Sequence, residues 1–551
     1  MREKPIKDVE IIDMSYPNIS IGKIDEEKTV QFKGGVLGQK VRVKITKNRG
    51  KNKKGKFMEV LEESKIENAK EFCPHAGICG GCSYQKMGYE TELLLKHDMI
   101  KKLLKNSHID IADLSIIRSP KIKEYRNKME YTFGDSYKDG PLVLGLHRQN
   151  RFYEIVDTDG CNIVDSDFET IRKHAQKYFR EKNTSFYHKK AHTGLLRNLI
   201  VRKALHTGEI MVVLVTSSDK SFDPMRRDLF AHNLLNAKTK GRIVSIYHVI
   251  NDSLSDAVKV DSIELLFGKK YIEEKMNDLK FQISPFSFFQ PNVYTAEKIY
   301  QKAIELANVD KNKNVLDLYS GTGTITQLFA KSANKAMGIE IIEEAVEKAF
   351  DNAKENEIEN INFIAGDVLE KIDLVKGKYD IVVIDPPREG IHPKAIKKII
   401  DIAPEEFVYI SCNPKTQVRD LEIFIKNGYK IKKYQAFDQF PRSRHVETVA
   451  LLYKLNTEHH LDIEIGEDEL SEIDFSKDAT YGEIKKYVLD KYGLKVSSLY
   501  IAQIKRKHGL IERENYNFSK KENQRVPNCP EEKEKAIEDV MCTQKTGHIN
   551  I

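Results

Sequence analysis

The amino-acid sequence predicts a multidomain α/β protein with a doubly wound parallel sheet in its C-terminal half. At 551 residues the chain is too long for one hydrophobic core, because single domains usually hold about 100 to 200 residues. Between residues 286 and 455, strand-like apolar runs alternate with helical segments, an order that is typical of parallel α/β sheets. Upstream of residue 286, short strand-like runs separated by turn residues predict smaller β-rich and α+β domains.

The composition predicts a folded protein of a reducing compartment. Hydrophobic residues make up 40% of the chain, and the formal net charge of +7 permits an anionic partner without requiring one. The N-terminal segment MREKPIKDVEIIDMSYPN lacks the apolar core of a signal peptide. No uncharged apolar run reaches the length of about eighteen residues that a transmembrane helix needs. We therefore expect a cytoplasmic protein without membrane segments, and we expect a monomer.

Residues 1–65 are predicted to form a small β-barrel. Short strand-like runs, among them VEIIDM and KVRVKIT, alternate with Gly and Asn/Asp turns. A lysine-rich loop from Lys47 to Lys56 lies between two of these runs. Such a loop is either ordinary solvated surface or, on an OB-like barrel, a contact for a phosphate backbone. The segment resembles the TRAM RNA-binding domain in its pattern of strands.

Three cysteines follow the barrel in a spacing that is typical of a metal site. Cys73, Cys79 and Cys82 are spaced C-x5-C-x2-C among glycines, and Cys161 in DTDGC supplies a fourth thiolate. Seven cysteines in so long a chain are too few for a disulfide scaffold. Four thiolates suit either a structural zinc ion or a [4Fe–4S] cluster, and the number of ligands does not separate the two.

Residues 66–285 are predicted to form a central α+β domain that contains this cysteine group. A helical pattern after Ser83 leads into strand-like runs such as MEYTFG and EIMVVLVT. Scattered basic side chains are usually ordinary surface, but here we interpret them as part of an RNA-facing cleft. They are Arg126, Lys128, His147, Arg148, Arg151, Arg197 and Arg202.

The predicted parallel sheet contains a loop of the cofactor-binding type. The segment DLYSGTGT follows an apolar strand and precedes a helix, and Glu340 ends the next strand. Glycines let the backbone approach a ligand, and an acidic side chain at the second strand end binds ribose hydroxyls. The loop lacks the third spaced glycine of the dinucleotide fingerprint. It therefore favours S-adenosylmethionine over NAD.

Further strand ends agree with this cofactor site. Asp367 in AGD and Asp385 in DPPR each follow an apolar strand, and ligands of open α/β sheets lie beyond the carboxyl ends of the strands. Tyr319 of the glycine loop and Gln290, which precedes an amphipathic helix, are expected to flank the cofactor.

A thiol and a carboxylate are predicted to lie at the same edge of the sheet. Cys412 follows the strand FVYIS, and Glu447 begins the strand VALLYKL. A thiolate beside a methyl donor suits C5 of uracil, because that carbon becomes nucleophilic only after addition at C6, and a base must then remove the C5 proton. Glu447 is the candidate base and His445 the alternative; a buried structural cysteine and a surface glutamate are the other readings. We expect the helix after Cys412 to lower the pKa of the thiol through its N-terminal dipole.

Taken together, FFQPN, DLYSGTGT, GIE, DPPREG, SCNP and HVETVALL resemble the RNA 5-methyluridine methyltransferase family over about residues 9 to 455. With the cysteine spacing, the resemblance is to the branch that has a [4Fe–4S] cluster and acts on 23S ribosomal RNA, and transfer RNA stays open as a substrate. It implies a Rossmann-like methyltransferase domain at residues 286–455, with Cys412 as nucleophile and Glu447 as base. The residues that it implies for the methyl donor are Gln290, Tyr319, Glu340 and Asp385. The residues that it implies for the cluster are Cys73, Cys79, Cys82 and Cys161.

Two other functions compete with this interpretation. Amino-methyltransferases also use Asp-Pro-Pro loops, but an aromatic residue normally follows the prolines and here Arg388 does. A non-catalytic RNA-binding or assembly factor would explain the barrel and the tail, but it has no use for Cys412 and Glu447 beside an intact cofactor loop.

The remaining chain is predicted to be a small appended module. Residues 456–476 are an acidic linker, and residues 477–551 contain two short helical segments and a polar tail. A capping-box spacing at Thr480 precedes EIKKYVLDKYG, and Ser498 precedes LYIAQIKRKHG. The pair resembles a helix-turn-helix.

Overall fold

The structure is a computed structural model. It describes residues 4–47, 52–219, 222–255, 258–375 and 378–455, together with residues 496–507 and a few isolated positions of the C-terminal part. The chain divides into two structural units, Met1–Asn456 and Thr457–Ile551. Among the described residues, no helix has the length and apolar character needed to span a bilayer.

Five N-terminal strands close into a barrel. They are β1 (Ile6–Ser15), β2 (Ile19–Lys23), β3 (Thr29–Lys33), β4 (Lys40–Lys47) and β5 (Asn52–Glu62). Their order around the barrel is β1-β2-β3-β5-β4. Alternate side chains of β4, namely Val41, Val43 and Ile45, are buried in its interior. The predicted small barrel is therefore present, while its relation to the TRAM domain stays a prediction.

The predicted lysine-rich loop is shorter than expected. Strand β5 begins at Asn52, so the second half of the predicted loop is strand, and residues 48–51 lie outside the described part of the chain. The strand extends this far because β5 closes the barrel by pairing with both β3 and β4. Gly55 permits the close approach, since a Cβ there would lie 2.3 Å from the Val43 side chain.

A seven-stranded sheet forms the central part of the first unit. Its strands are β7 (Lys128–Gly134), β8 (Val143–Arg148), β9 (Arg151–Val156), β10 (Leu196–Lys203), β11 (Glu209–Thr216), β12 (Arg242–Ile250) and β13 (Ser262–Gly268). They lie in the order β13-β12-β11-β10-β7-β8-β9. Helices α2 (Ser166–Glu181) and α3 (Pro224–Leu234) share a core with it, and a hairpin of β14 (Ile272–Met276) and β15 (Leu279–Ile283) follows. This is the predicted α+β arrangement.

A second sheet has eight strands. They are β6 (Ile116–Ile117), β16 (Asn314–Leu318), β17 (Lys335–Glu340), β18 (Ile361–Ala365), β19 (Ile381–Ile384), β20 (Glu406–Ser411), β21 (Tyr429–Phe437) and β22 (Glu447–Lys454). Their order is β18-β17-β16-β19-β20-β22-β21-β6. Strands β16 to β20 are parallel, whereas β22 runs antiparallel to both neighbours.

Helices cover both faces of this sheet, as predicted for a doubly wound domain. They are α4 (Val293–Ala307), α5 (Thr324–Ala330), α6 (Glu343–Glu355), α7 (Val368–Lys371) with a 3₁₀ turn (Ile372–Leu374), α8 (Pro393–Asp401) and α9 (Pro414–Lys426). The apolar side chains of α8 and α9 belong to one core and those of α4 and α5 to another.

Two pieces of chain from upstream of residue 286 belong to this second sheet. Strand β6 pairs in parallel with β21, and helix α1 (Tyr89–Asn106) places Leu95, Met99 and Ile100 in the core that contains α9. The predicted boundary between the central and C-terminal domains thus differs from the packing, since residues 89–117 lie with the second sheet. An amphipathic pattern shows that a helix has a buried face, but it does not show which sheet that face contacts.

Buried charges fix α1 to the loop after β21. Lys96 Nζ donates hydrogen bonds to Asp438 Oδ1 at 2.6 Å and to Glu92 Oε1 at 2.7 Å, and all three side chains are fully buried. The Tyr89 hydroxyl donates to Asp438 Oδ2 at 2.9 Å. A buried ion whose partner is removed is strongly destabilising. The Lys96 cation therefore stabilises the two buried carboxylates of Glu92 and Asp438.

We expect Lys96→Met to lower the free energy of unfolding by about 3–5 kcal/mol, because Glu92 and Asp438 lose the cation between them. Urea denaturation of the full chain measures the change. Lys105→Met, at an exposed position of the same helix, is the matched control and is expected to shift stability by less than about 0.5 kcal/mol. Equal effects of the two substitutions would contradict the assignment.

Within the described part of the second unit, α10 (Ser498–Lys507) is a helix. It coincides with the predicted second helix of the appended module. The acidic linker, most of EIKKYVLDKYG and the tail with Cys529 and Cys542 lie outside the described residues. The helix-turn-helix stays a prediction.

Candidate active site

One cavity of about 1030 Å³ brings together the side chains predicted for catalysis and cofactor binding. It lies where the parallel strands of the second sheet end, the place at which open α/β sheets bind ligands. The predicted residues that line it are Gln290, Tyr319, Glu340, Asp367, Asp385, Cys412, His445 and Glu447.

The loop after β16 makes a sharp turn beside this cavity. Tyr319 has a φ of 70°, and the backbone N–H groups of Tyr319 and Ser320 both donate to the Ile339 carbonyl at 3.0 Å. Gly321 has a φ of 56°, and nothing lies within 4 Å of the place that a Cβ would take. Glu340 Oε2 accepts from the Gly321 N–H at 3.0 Å. The loop therefore leaves open space next to a fixed carboxylate.

Buried polar atoms around this loop are without partners. Within the described structure, Asp317 Oδ1, the Ser320 hydroxyl and Gln439 Oε1 are buried and have no hydrogen-bond partner. Burial raises the pKa of Asp317 to about 8 and that of Asp385 to about 7. Buried polar groups of native proteins normally have partners. Of Asp317, Ser320 and Gln439, it is Ser320 that lines the cavity.

Gln290 is held from two sides. The Asn127 side-chain amide donates to the Gln290 carbonyl at 2.9 Å, and Gln439 Nε2 donates to Gln290 Oε1 at 3.1 Å. The segment before it is fixed by Arg202, whose buried guanidinium donates to the carbonyls of Ser284, Pro285 and Ser287. The central sheet thereby positions one wall of the cavity.

Cys412 and Glu447 come together because β22 runs antiparallel to β20. Ser411, the last residue of β20, pairs with Thr448 of β22, so the residue after one strand lies beside the first residue of the other. Thr448 Oγ1 also donates to Gln417 Oε1 of α9 at 2.8 Å. The ladder and this hydrogen bond fix the thiol and the carboxyl group at one wall of the cavity.

Burial dominates the protonation of these groups. Burial and the nearby Asp385 raise the pKa of Glu447 to about 8, with Arg388 acting in the opposite direction. Burial, together with Glu447 and Asp385, raises the pKa of Cys412 to about 12, although a hydrogen bond from Arg388 opposes the shift. Burial lowers the pKa of His445 to about 4. At pH 7 the free protein therefore has a protonated thiol beside a largely protonated carboxyl group and a neutral imidazole.

The pKa of Cys412 is raised and not lowered, although a helix follows the cysteine as expected. Helix α9 does begin just after the cysteine, at Pro414, but a helix dipole contributes only about 0.3–1 kcal/mol. Burial beside Glu447 and Asp385 outweighs it. Arg388 is the group that opposes the shift, and it is a residue whose role the sequence analysis missed.

We expect Glu447→Gln to lower the pKa of Cys412, because the substitution removes a negative charge that raises it. Since Glu447 is ionised only above pH about 8, the rate of Cys412 alkylation by iodoacetamide should exceed that of the wild type mainly above that pH. Mass spectrometry of the peptide that contains Cys412 measures it. Asp367→Asn is the matched control and should leave the pH profile unchanged. Asp367 lines the same cavity but follows β18, four strands from β20 in the sheet. An unaltered profile in Glu447→Gln would count against the assignment.

The four cysteines predicted to bind metal lie near one another, and Cys82 and Cys161 pack against the core of the central sheet. Burial is the main cause that raises the pKa of Cys82 to about 12 and that of Cys161 to about 11. The charges of the neighbouring cysteines raise both values further. Gln85 links two of the four, since its Oε1 accepts from the Cys73 N–H at 3.2 Å and its Nε2 donates to Cys82 Sγ at 3.4 Å. Among the described residues, no group of three or more His, Cys, Asp or Glu side chains has metal-binding geometry.

The cysteine segment is bonded to the loop that precedes Glu447. The backbone N–H groups of Ser83 and Tyr84 donate to the Arg442 carbonyl at 2.8 and 3.0 Å. The Arg442 N–H donates to Glu92 Oε1 at 2.7 Å, and its guanidinium donates to the Met87 carbonyl at 2.7 Å. Arg442 has a φ of 68°, which is uncommon outside glycine. These hydrogen bonds hold Arg442 in that conformation and thereby position the loop that leads to Glu447, the first residue of β22.

Two of the basic residues predicted to line a cleft are structural instead. Arg197 and Arg202 are buried, and each guanidinium donates to three backbone carbonyls. Arg126 lines the cavity, while Arg148 and Arg151 are exposed. A buried arginine that binds carbonyl groups has no sequence pattern that separates it from a surface arginine.

The parallel strands, the antiparallel β22 and the cavity beside a glycine loop define a Rossmann-like methyltransferase domain. The family model described as tRNA (Uracil-5-)-methyltransferase matches residues 88–455. The chain belongs to this family, and it is an RNA methyltransferase. The resemblance found in the sequence is confirmed at the level of the family.

Individual relatives agree with this assignment. The chain is 45% identical over 455 residues to an uncharacterized RNA methyltransferase of Caldanaerobacter subterraneus subsp. tengcongensis, covering 82% of this chain and 100% of the relative. It is 46% identical over 456 residues to one of Clostridium acetobutylicum, covering 82% and 99%. The crystal structure of Pyrococcus abyssi tRNA (uracil-54, C5)-methyltransferase in complex with S-adenosyl-L-homocysteine superposes with a TM-score of 0.62 at 26% identity, covering 81% of this chain and 100% of that chain.

Proposed function

We propose that the protein methylates C5 of uracil in RNA through a covalent adduct between Cys412 and C6, with S-adenosylmethionine as the methyl donor. The observation that supports this most strongly is the placement of Cys412 and Glu447 at one wall of the cavity that the cofactor loop also lines. Methylation at oxygen or nitrogen needs no covalent nucleophile, whereas C5 of uracil does. An amino-methyltransferase or a non-catalytic RNA-binding protein would leave this pair without a role.

The methyl donor would occupy the part of the cavity around the glycine loop. The open space at Gly321 and the fixed Glu340 carboxylate suit a ligand with ribose hydroxyls. When bound, it supplies an electrophilic methyl group. The presence of S-adenosyl-L-homocysteine in the Pyrococcus abyssi enzyme supports this choice. The side chains that would hold it are Gln290, Tyr319, Glu340, Asp367 and Asp385.

The chain's own residues would carry the reaction in three steps. Cys412 and Glu447 must first release to solvent the protons that they hold in the free protein at pH 7. The Cys412 thiolate, stabilised by the Arg388 guanidinium, then adds to C6 of uracil and makes C5 nucleophilic. After C5 has gained the methyl group it still bears its proton, which the Glu447 carboxylate removes. The electrons of that C–H bond restore the C5–C6 double bond and expel the Cys412 thiolate. Glu447 then returns the proton to solvent.

We infer 23S ribosomal RNA as the substrate and keep transfer RNA as the second candidate. The cysteine motif supports the first, since it resembles that of the 23S-specific branch. The Pyrococcus abyssi enzyme, which acts on uracil-54 of tRNA, supports the second. Mapping 5-methyluridine by mass spectrometry in both RNAs, from cells with and without this gene, separates them. Loss in tRNA alone would overturn the ribosomal assignment, and loss in neither would overturn uracil methylation.

We propose further that Cys73, Cys79, Cys82 and Cys161 hold a [4Fe–4S] cluster rather than zinc. Four thiols near one another, one buried and three partly buried, suit such a cluster. Its role here would be to fix the segment that hydrogen-bonds to Arg442. Anaerobically purified protein is expected to contain about four iron atoms and four sulfides per chain. Cys79→Ser is expected to lose most of the iron, whereas Cys412→Ser, the control outside this group, should keep it. Stoichiometric zinc in place of iron would overturn the proposal.

A further inference from the structure

Two large aromatic side chains are exposed next to each other on β9, an edge strand of the central sheet. Phe152 is 48% exposed and Tyr153 is 57% exposed. Phe152 stacks on the imidazole of His147 with the ring centroids 4.7 Å apart and the planes 7° from parallel. Tyr153 meets Phe152 edge-on at 5.6 Å. The three rings form an ordered aromatic surface, and adjacent exposed apolar groups on a soluble protein indicate a binding site.

Cations cover this surface. Lys189 Nζ lies 4.1 Å from the centroid of the Phe152 ring, and Lys190 Nζ lies 4.7 Å from that of Tyr153. We call His147, Phe152, Tyr153, Lys189 and Lys190 the stacking patch. Exposed cation–π contacts of this kind are weak. Lys189 Nζ also lies 3.4 Å from His147 Nε2. The exposed Lys190 can leave its ring for a phosphate group without a large loss in free energy.

The surroundings of the stacking patch are also basic. Arg148 and Arg151 are exposed on the same hairpin, and both form an ion pair with the single carboxylate of Glu154. With the two lysines there are four cationic side chains, and the two carboxylates beside them are those of Glu154 and of Asp135, which forms a β-bridge with Glu154. The patch is therefore complementary to a polyanion that also presents flat apolar groups.

The stacking patch adjoins the reaction cavity through the cysteine segment. The Gly80 N–H donates to the His147 carbonyl at 3.1 Å, and Cys79 forms a β-bridge with Arg148. Gly81, which follows Gly80, lines the same cavity as Cys412. The main chain thus links the stacking patch directly to a segment that lines the cavity.

We propose that the stacking patch binds unpaired bases of the substrate RNA that flank the target uridine. This rests on the proposed function, because a uridine that enters the cavity must leave its base stack at a loss of a few kcal/mol. Its neighbours then lack stacking partners, and aromatic rings among cations are the surface with which proteins bind single-stranded nucleic acid regardless of sequence. Paired bases do not expose their faces in this way, so the partner is single-stranded RNA rather than a duplex.

The test measures binding of a single-stranded, uridine-containing RNA of about twelve nucleotides by fluorescence anisotropy, without methyl donor. Phe152→Ala and Tyr153→Ala are each expected to weaken binding roughly 5- to 100-fold. Phe152→Leu, which keeps an apolar side chain without a ring, should lose as much as Phe152→Ala, whereas Phe152→Tyr should retain binding. Phe267→Ala is the matched control, because Phe267 is 38% exposed on β13 at the opposite edge of the same sheet.

Several outcomes would overturn the proposal. The first is unchanged RNA binding in both alanine variants, which is the result expected if the patch binds another protein. An equal loss in Phe267→Ala, or an equal loss of affinity for a duplex of the same sequence, is another. Because the readout is binding, a wild-type protein that bound this RNA through the patch without methylating uracil would refute the proposed function and leave the patch assignment standing.

Discussion

Cys412→Ala is expected to abolish methyl transfer to RNA, by about 10⁴-fold or more, the scale on which enzymes lose activity when a catalytic nucleophile is removed. The physical reason is that C5 of uracil does not attack a methyl sulfonium until a nucleophile has added to C6. Transfer of a labelled methyl group to RNA measures the loss. The cofactor loop follows β16, two strands from β20 in the sheet, so calorimetry should show that the variant still binds S-adenosylhomocysteine.

The complementary variant is Glu340→Ala. It removes the carboxylate bonded to the Gly321 N–H and is expected to weaken binding of S-adenosylhomocysteine while Cys412 remains reactive toward iodoacetamide. A Cys412→Ala protein that still turns over would exclude the covalent route. Loss of both activity and cofactor binding in Cys412→Ala would instead mean that the side chain supports the fold.

Glu447→Gln is expected to accumulate a protein–RNA adduct that survives denaturation. The glutamine cannot accept the C5 proton, so the methylated intermediate keeps its bond to Cys412 and turnover falls by about 10²- to 10⁴-fold. Denaturing gel electrophoresis detects the adduct. Mass spectrometry of the linked nucleotide should show that the methyl group has already been transferred.

His445→Gln is the matched comparison for this experiment. His445 lines the same cavity and is neutral at pH 7, because burial lowers its pKa to about 4, so it too has a lone pair for a proton. If Glu447 is the base, the histidine variant turns over without a trapped adduct. Accumulation of the adduct in His445→Gln, with normal turnover in Glu447→Gln, would transfer the role to the histidine.

Much of the candidate site could be predicted from the sequence because parallel strands end at one edge of a sheet. The runs before Asp385 and Cys412 are strand-like and stop at polar residues, so the common edge follows from chain order alone. Glu447 fits the same rule in reverse, because it starts a strand that runs antiparallel. The pattern of residues thus indicated which side chains meet, although it contained no distances.

Properties that depend on distance could not be predicted. The raised pKa of Cys412 arises from burial and from two carboxyl groups that are far away in the chain, at Asp385 and Glu447. The burial of Arg197 and Arg202 and the bonds that hold Arg442 are likewise long-range. Local periodicity reports which face of an element is apolar, but it contains no information about partners in other elements of the chain.

The pairing of β6 with β21 determines how this protein can be divided. Gln435 and Ser115, which are hydrogen-bonded at this seam, are 320 residues apart in sequence. During synthesis α1 therefore emerges long before Asp438, the partner of its buried Lys96, and contacts of such high sequence separation form late in folding. A chimera that exchanges the barrel and the central sheet between two relatives must keep residues 89–117 with the second sheet, from which they are separated in sequence.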